Sequence, residues 1–335
     1  MEKLSFSFII PVFNRPHEVE ELLECFTKIP GAYEIVIVED GSVKTSEHVV
    51  RAYEERLNIA YYFKPNTGPG DSRNYGMRKA QGNYFIILDS DVLLPTNYLE
   101  EVKTFLTHNY VDCYGGPDAS HPSFTNLQKA ISFAMTSFIT TGGIRGQKKQ
   151  VNKFQPRSFN MGISKKAFLA SEGFGSIHPG EDPDLSLRLV KLGFATALIP
   201  NAIVFHKRRI SWSKFYTQVN KFGLVRPILN TWHPNSASLV YWFPTMFILG
   251  LVVAILLALL NITMLFFYIY AIYFSLAFAV ALIESRSLGV AMQAIIAIVV
   301  QFFGYGYGFL KSSFYISLLR KKPEHQFPQL FFDTK

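Results

Sequence analysis

The chain has 335 residues, enough for one large domain or two ordinary ones. Only 17% of its residues are charged and 49% are hydrophobic, whereas soluble domains are about 25% charged. This composition excludes a disordered chain and argues against a wholly soluble protein. The net charge is +8, and residues 239–335 carry six basic and three acidic side chains. That excess is mild for a nucleic-acid-binding protein, so we expect a membrane surface rather than nucleic acid as partner.

Residues 5–114 alternate between short apolar runs and segments with helical periodicity. The predicted strands cover residues 5–12, 33–38, 59–63, 84–88 and 110–114, and the predicted helices cover residues 16–28, 45–57, 70–80 and 96–108. The strands are continuously apolar, which is typical of parallel strands covered on both faces. We therefore predict a doubly wound α/β sheet, whose ligands bind beyond the carboxyl ends of the strands.

Acidic residues follow two of these strands. Asp40 ends the second strand, and Asp89 and Asp91 follow the fourth. Carboxylates gathered at one rim repel one another unless a cation or donor groups lie between them. Oxygen ligands of this kind suit Mg²⁺ or Mn²⁺ held together with phosphate oxygens. An Asp-x-Asp sequence also occurs in loops by chance, and its place after a buried strand favours the metal site.

Four segments resemble, in order and spacing, the family 2 glycosyltransferases, which have a nucleotide-sugar-binding GT-A fold. These segments are SFIIPVFNRP, VIVEDGS, NTGPGDSRNYGMRKAQGNYFIILDSDVLLP and SFNMGISKKAFLASEGFGSIHPGEDPDLSLRLVKLGF. The resemblance covers roughly residues 5–225. It implies that Asp40 binds the nucleotide base, that Arg73 lies near the nucleotide and that a His after the last strand contacts diphosphate or metal. The expected nucleotide-sugar site is Pro11, Phe13, Asp40, Arg73 and Asp89, and the expected metal site is Asp91, Asp89 and His206.

Sugar transfer from a nucleoside diphosphate needs a cation for the leaving group and a base for the acceptor hydroxyl. We expect Asp182 to be this base and Glu181 to assist it or bind acceptor. Attack on the opposite face would invert the anomeric centre, as the resemblance also implies. Alternatively, Glu181 and Asp182 only cap the helix that follows them. His206 could likewise be an ordinary turn residue after a strand predicted at 197–205.

Residues 117–156 show little periodicity apart from a possible helix at 127–139. We interpret this segment as a lid over the site or as a variable surface loop, with equal weight.

Residues 210–226 place aromatic side chains at three- and four-residue spacing among lysines, which predicts a basic amphipathic helix in the headgroup layer or a helix packed on protein. The nearby QVNKFG faintly resembles the Gln-x-x-Arg-Trp element of processive polysaccharide synthases, but its basic and aromatic positions are altered.

Residues 239–283 and 287–310 contain no Asp, Glu, Lys or Arg. A membrane-crossing helix needs about 20 apolar residues, so we predict transmembrane helices near 239–260, 262–283 and 288–310, after a GT-A domain at 1–230 and before a basic tail at 320–335. The length of the third run favours three crossings. Two crossings and a re-entrant or interfacial third segment would instead keep the basic tail and the catalytic domain on one side.

The leading hypothesis is an inverting, Mg²⁺- or Mn²⁺-dependent glycosyltransferase at the cytosolic face of the inner membrane. It would use a nucleotide-sugar donor and a lipid-linked or cell-surface glycan acceptor. The alternatives are a polyprenyl-phosphate glycosyltransferase and a non-catalytic membrane scaffold that retains the GT-A fold. Cys25 and Cys113 build no disulfide framework, which suits a reducing cytosol. We expect no signal peptide, because the first residues run directly into a strand pattern.

Overall fold

The computed structural model describes residues 3–119, 121–142, 154–207 and 211–332, and these form two compact units. An α/β unit contains residues 3–119, 154–206 and 331–332. A helical unit contains residues 121–142, 207 and 211–330. The division near residue 206 differs from the domain boundary at 230 that the sequence suggests, because the helix after residue 211 belongs to the helical unit.

The α/β unit is built mainly from its first hundred residues. They form β1 (Phe6–Val12), α1 (Pro16–Phe26), β2 (Glu34–Asp40), α2 (Glu47–Arg51), β3 (Ile59–Lys64), α3 (Pro69–Lys79), β4 (Tyr84–Leu88), β5 (Val92–Leu93), α4 (Tyr98–His108), β6 (Cys113–Gly115) and β7 (Asp118–Ala119). The helical unit then contributes α5 (Asn126–Thr136) and α6 (Phe138–Thr141), after which the α/β unit resumes with β8 (Asn160–Ser164), α7 (Lys165–Ser171), α8 (Glu181–Lys191), β9 (Thr196–Leu198) and β10 (Val204–His206).

Seven strands form one sheet in the order β3-β2-β1-β4-β8-β6-β9. The strands β1 to β4 are parallel, as predicted, but β8 runs antiparallel to both β4 and β6. The sheet is therefore mixed rather than wholly parallel. β8 follows a long excursion of the chain through α5 and α6 instead of the single helical crossover that usually joins parallel strands.

Alternate residues of the central strands enter two separate apolar clusters. Phe8 and Ile10 of β1 pack in one cluster, whereas Ile9 packs in the other. Side chains of a strand alternate between the faces of a sheet, so both faces are covered and the strands are apolar throughout. This explains the continuous apolar runs from which the α/β fold was predicted.

Two predicted elements differ in detail. The helix predicted at 45–57 is α-helical only over Glu47–Arg51, because Ala52 and Tyr53 donate to carbonyls three residues back and the chain continues in tighter turns. The strand predicted at 197–205 is divided between β9 and β10. Pro200 interrupts it, since proline has no N–H to give to a neighbouring strand. β10 instead joins β5 and β7 in a small second sheet.

The helical unit continues with α9 (Trp212–Trp232), α10 (Phe243–Leu259), α11 (Leu265–Ser285), α12 (Leu288–Ser312) and α13 (Pro323–Gln326). A π-helical segment, Ser313–Leu318, extends α12, and 3-10 turns cover Pro234–Ser236, Leu239–Trp242 and Pro328–Leu330. Three stretches are long and apolar enough to cross a membrane: Leu239–Leu259, Leu265–Ser285 and Leu288–Leu318. They correspond to the three predicted spans.

Glycines let α12 approach its neighbours closely. An added Cβ at Gly304 would lie 2.6 Å from Val219 of α9, and one at Gly308 would lie 2.4 Å from the carbonyl oxygen of Asn220. Between them, Gly306 faces the backbone of Thr245 at 3.0 Å. Residues four apart share a helix face, so the repeat packs α9 on one side and α10 on the other.

This packing buries the apolar side of α9. Phe215 and Val219 lie in the core of the helical unit, together with residues of α5, α11 and α12. For these two side chains the structure corresponds to the alternative of a helix packed on protein. Contact of its lysines, Lys214 and Lys221, with lipid headgroups stays a prediction.

We expect Gly308→Ala to destabilise the helical unit. The methyl group would meet a backbone carbonyl that cannot rotate away, and such overpacking costs roughly 1–3 kcal/mol. The matched control is Gly289→Ala in the first turn of α12, where the nearest atom is the side-chain amide nitrogen of Asn126 at 3.1 Å. Thermal unfolding in detergent checks this, and equal midpoints for both variants would contradict the packing argument.

Candidate active site

The predicted nucleotide residues lie at the carboxyl ends of β1 and β2. Pro11 is within β1, opposite Val38, and Phe13 follows the strand with half of its surface exposed. Asp40 is buried at the end of β2. Its carboxylate accepts hydrogen bonds from Nζ of Lys64 at 2.6 Å and from the backbone N–H of Thr67 and Gly68 at 3.0 Å each. Asp40 therefore shapes the loop after β3, and its contact with a nucleotide base stays a prediction.

Asp89, Asp91 and His206 form a cluster whose ligand atoms lie within 4.8 Å of one another. Both aspartates follow the carboxyl end of β4. His206 reaches them because β10 pairs antiparallel with β5, which sets His206 opposite Val92. The small second sheet thus brings together residues more than a hundred positions apart in the sequence.

The atoms of this cluster suit a divalent cation. Oδ1 of Asp91 is 3.2 Å from Nε2 of His206, yet this buried oxygen accepts no hydrogen bond from the described residues. Nδ1 of His206 is also without a hydrogen-bond partner there, and the ring stacks on Phe159 at 5.0 Å. Two carboxylates and one imidazole match the ligands of Mn²⁺ or Mg²⁺. The donor set therefore fits the metal that the sequence predicts.

Positive groups stabilise the ionised form of Asp91. Burial alone would raise its pKa, but His206 and the Arg15 guanidinium outweigh burial and hold the pKa of Asp91 well below its usual range. Arg15 forms an ion pair with Oδ2 of Asp91 through NH1. Sequence reasoning assigned no role to Arg15, although it lies in the SFIIPVFNRP segment directly before the first helix.

Arg73 connects the metal cluster to the Glu181-Asp182 pair. This buried residue of α3 donates through NH2 to Oδ1 of Asp89 at 2.8 Å and through NH1 to Oε1 of Glu181 at 3.0 Å. Burial would lower the pKa of Arg73, but the carboxylates of Asp89 and Glu181 raise it instead. One guanidinium therefore joins Asp89, a predicted metal ligand, to Glu181, the neighbour of the predicted base.

Glu181 and Asp182 open α8 but have opposite electrostatic environments. Burial would raise the pKa of Glu181, yet His178, whose Nδ1 is 2.9 Å from Oε1, and Arg73 outweigh burial and lower it to about 2. Burial and the neighbouring charge of Glu181 raise the pKa of Asp182 to about 6. Oδ1 of Asp182 is buried without a hydrogen-bond partner among the described residues. Sequence reasoning also missed His178, whose three-residue spacing from Glu181 was the available signal.

Comparison with known proteins agrees with this geometry. Residues 7–169 match the family model for glycosyl transferase family 2. The match covers just under half of the chain. An uncharacterized glycosyltransferase of Haemophilus influenzae is 32% identical over 108 residues, which are 31% of this chain and 43% of that relative. Validoxylamine A glucosyltransferase of Streptomyces hygroscopicus subsp. limoneus is 36% identical over 101 residues, 29% of this chain and 22% of that relative.

The similarity to these curated relatives thus spans less than half of their length. Across almost the whole chain, the fold is similar to that of the mannosyltransferase PcManGT from Pyrobaculum calidifontis, solved in complex with GDP-Man and Mn²⁺. The TM-score is 0.57 at 13% identity, and the match covers 96% of this chain and 89% of that one. The GT-A fold predicted from the sequence is confirmed.

The opposite pKa shifts predict opposite effects of neutralising the two carboxyls. Because the pKa of Asp182 is raised in the fold, its ionised form destabilises the protein above about pH 6, and the penalty disappears towards pH 4. Asp182→Asn should therefore raise the thermal midpoint at pH 8, by about 2–4 °C for each kcal/mol gained. The pKa of Glu181 is lowered, so its ionised form stabilises the fold above about pH 4.5 and loses this effect as pH falls towards 2.

Glu181→Gln should accordingly lower the midpoint at pH 8. Unfolding of both variants in metal-free buffer at pH 8 and pH 4.5, compared with the wild type, measures this. Thermal midpoints that shift in the same direction for both variants at pH 8 would contradict the opposite pKa shifts of the two carboxyls.

Proposed function

We propose that this protein transfers a sugar from a nucleoside-diphosphate sugar, with inversion and with the help of a divalent cation, to an acceptor held at a membrane. The observation that carries the proposal is the shared guanidinium of Arg73, which lies between Asp89 of the metal cluster and Glu181 beside Asp182. A transferase of this kind needs the leaving diphosphate and the base in one cleft. The match of residues 7–169 to family 2 supports the reaction class.

Asp89, Asp91 and His206 would hold the cation. When bound, Mg²⁺ or Mn²⁺ would neutralise charge on the diphosphate as the anomeric bond breaks. The mannosyltransferase of similar fold was solved with Mn²⁺ and a nucleotide sugar, which supports this cofactor class. Asp40, Pro11 and Phe13, at the neighbouring strand ends, would contact the nucleoside part of the donor.

Asp182 is the proposed general base. Its pKa of about 6 leaves it ionised at neutral pH while keeping it basic enough to take a proton from an acceptor hydroxyl. Its unpartnered Oδ1 is free to receive that proton. Glu181 is held by Arg73 and His178 and has a pKa of about 2, so it is a poor base. We assign Glu181 to positioning Arg73.

The path of the chain supports a membrane hairpin. The chain leaves the α/β unit after His206 and returns at Phe331, which forms a bridge with Ile177. Phe332 N–H donates to the carbonyl of Ser176 at 3.0 Å. We therefore propose an even number of full crossings between these two points, which keeps the α/β unit on one side of the membrane.

α10 and α11 are the preferred crossing pair. Only 11% of each of these spans is buried by protein, whereas 39% of the α12 span is buried. The sides of α10 and α11 that protein leaves uncovered are apolar and suit contact with lipid, whereas α12 is covered by α5 and α9. We propose that α12 stays at the membrane surface and that Arg320, Lys321 and Lys322 lie on the cytosolic side with the α/β unit, in keeping with the positive-inside rule. The membrane would then be a cytoplasmic (inner) membrane.

Two carboxyl-to-amide variants test the reaction. Asp91→Asn should abolish metal-dependent release of nucleoside diphosphate from the preferred donor. Asp182→Asn should lower turnover about 10²–10⁴-fold, the usual contribution of a general base, with donor affinity nearly unchanged because a general base acts on the acceptor hydroxyl. The assay uses the full chain in lipid, a panel of nucleotide sugars, and Mn²⁺, Mg²⁺ or chelator.

The control is Glu54→Gln, which changes an exposed carboxylate after α2 and should leave turnover unaltered. Polyprenyl phosphate and a lipid-linked sugar serve as alternative acceptors. An acceptor phosphate needs no strong base, so a small effect of Asp182→Asn would favour polyprenyl phosphate. Absence of turnover with every donor and acceptor would favour the non-catalytic scaffold.

Cysteine labelling tests the topology. In a background with Cys25 and Cys113 replaced by Ala, Ile262→Cys marks the turn between α10 and α11, and Glu324→Cys marks the segment after α12. An impermeant maleimide added to intact cells should label residue 262 only, and residue 324 should react after lysis. Labelling of residue 324 from outside would instead support three crossings.

A further inference from the structure

The backbone before Arg15 is held firmly, whereas its side chain is partly exposed. Asn14 has a left-handed backbone (φ 56°), and its Oδ1 accepts from the N–H groups of Val43 and Lys44 at 2.9 Å each. The Asn14 N–H donates to Oγ of Ser42 at 2.7 Å. Pro16 then opens α1. Only the long side chain of Arg15, which is 32% exposed, is therefore free to change partner.

The guanidinium of Arg15 occupies a carboxylate that the cation also needs. NH1 of Arg15 pairs with Oδ2 of Asp91, while Oδ1 of Asp91 lies beside His206. A guanidinium and a divalent cation on the same carboxylate repel each other. A cation that binds alone must therefore compete with Arg15 for Asp91.

The two arginines of the cluster differ in how firmly they are held. Arg73 is buried and joined to both Asp89 and Glu181. Among the described residues Arg15 has an ion pair with Asp91 alone. Removing Arg73 from its place would take a charged partner from two carboxylates at once, whereas Arg15 can leave Asp91 as soon as a cation takes its position.

We propose that Arg15 exchanges partners during donor binding: it rests on Asp91 in the unliganded protein and moves to the diphosphate when cation and diphosphate bind together. A guanidinium forms strong paired hydrogen bonds with phosphate oxygens. Contact with the incoming diphosphate therefore compensates for the lost ion pair between Arg15 and Asp91. The cation then binds weakly alone and tightly with a diphosphate. This inference rests on the proposed function and adds a positioning residue that couples the two ligands.

Binding of Mn²⁺ tests the exchange without any turnover. The concentration of free Mn²⁺ is followed by its paramagnetic resonance signal during titration of the full chain in detergent, with and without inorganic pyrophosphate and corrected for Mn²⁺–pyrophosphate in solution. The variants are Arg15→Gln, Arg15→Lys and Lys44→Gln. Lys44 is exposed on the neighbouring loop, so its variant removes the same charge without touching Asp91.

Arg15→Gln should bind Mn²⁺ alone at least about fivefold more tightly than the wild type, and its gain in affinity from pyrophosphate should be smaller by a similar factor, the lower end of usual coupling between ligands. Arg15→Lys keeps the competing charge and should keep weak binding of Mn²⁺ alone. Lys44→Gln should follow the wild type. Coupling is reciprocal, so pyrophosphate affinity measured with and without Mn²⁺ must give the same factor.

Unchanged or weaker Mn²⁺ binding by Arg15→Gln would overturn the proposal, as would tighter binding with an undiminished gain from pyrophosphate. Asp91→Asn separates this failure from that of the proposed function. If Asp91→Asn binds Mn²⁺ as the wild type does, the cation lies elsewhere and the metal site itself is wrong. If Asp91→Asn loses Mn²⁺ while Arg15→Gln changes nothing, only the role of Arg15 is refuted.

Discussion

The buried guanidinium of Arg73 is the interaction on which the rest of the site depends. A single buried charge is expensive, and the carboxylates of Asp89 and Glu181 compensate for it only while both stay within hydrogen-bond distance. α3, the end of β4 and the start of α8 are thereby held in a fixed relation. Removal of one partner from a pair in which both charges are buried, such as Arg73 and Glu181, typically costs about 3–5 kcal/mol. The stability of the α/β unit and the alignment of its chemistry thus rest on the same three side chains.

Two adjacent carboxyls can differ so strongly because they begin a helix. Neighbouring residues of an α-helix point in directions about 100° apart, so Glu181 reaches Arg73 and His178 while Asp182 points to a region without a partner for its Oδ1. Pairing with Arg73 and His178 keeps Glu181 ionised. That fixed negative charge in turn contributes to the raised pKa of Asp182. Glu181, which binds Arg73, therefore also makes the neighbouring Asp182 more basic.

Features that depend on local sequence could be predicted, and those that depend on pairing of distant segments could not. The apolar strands and the place of Asp40, Asp89 and Asp91 at strand ends followed from periodicity and from the geometry of parallel sheets. The contact between Arg73 and Glu181 joins residues 108 positions apart, and His206 reaches Asp91 through the β5–β10 pairing that no pattern announces. The antiparallel direction of β8 and the ion pair between Arg15 and Asp91 could not be predicted for the same reason. The aromatic spacing in α9 is compatible with contact to lipid or to a neighbouring helix. The glycines of α12 allow a close approach to α9, and Phe215 and Val219 are buried in the core of the helical unit.

The return of the chain to the α/β unit gives the membrane segment a direct physical link to the proposed base. Phe331 bridges Ile177, and the ring of Phe332 lies 6.0 Å from that of His178. His178 donates through Nδ1 to the same Oε1 of Glu181 that binds Arg73, so the tail supports the short segment that leads into Glu181 and Asp182. An added Cβ at Gly68, whose N–H holds Asp40, would also meet the ring of Phe332 at 2.5 Å. A chain that ended within the membrane would lack both contacts. On the proposed topology, the chain that anchors the enzyme in lipid therefore continues directly into the residues that contact the segment before Glu181.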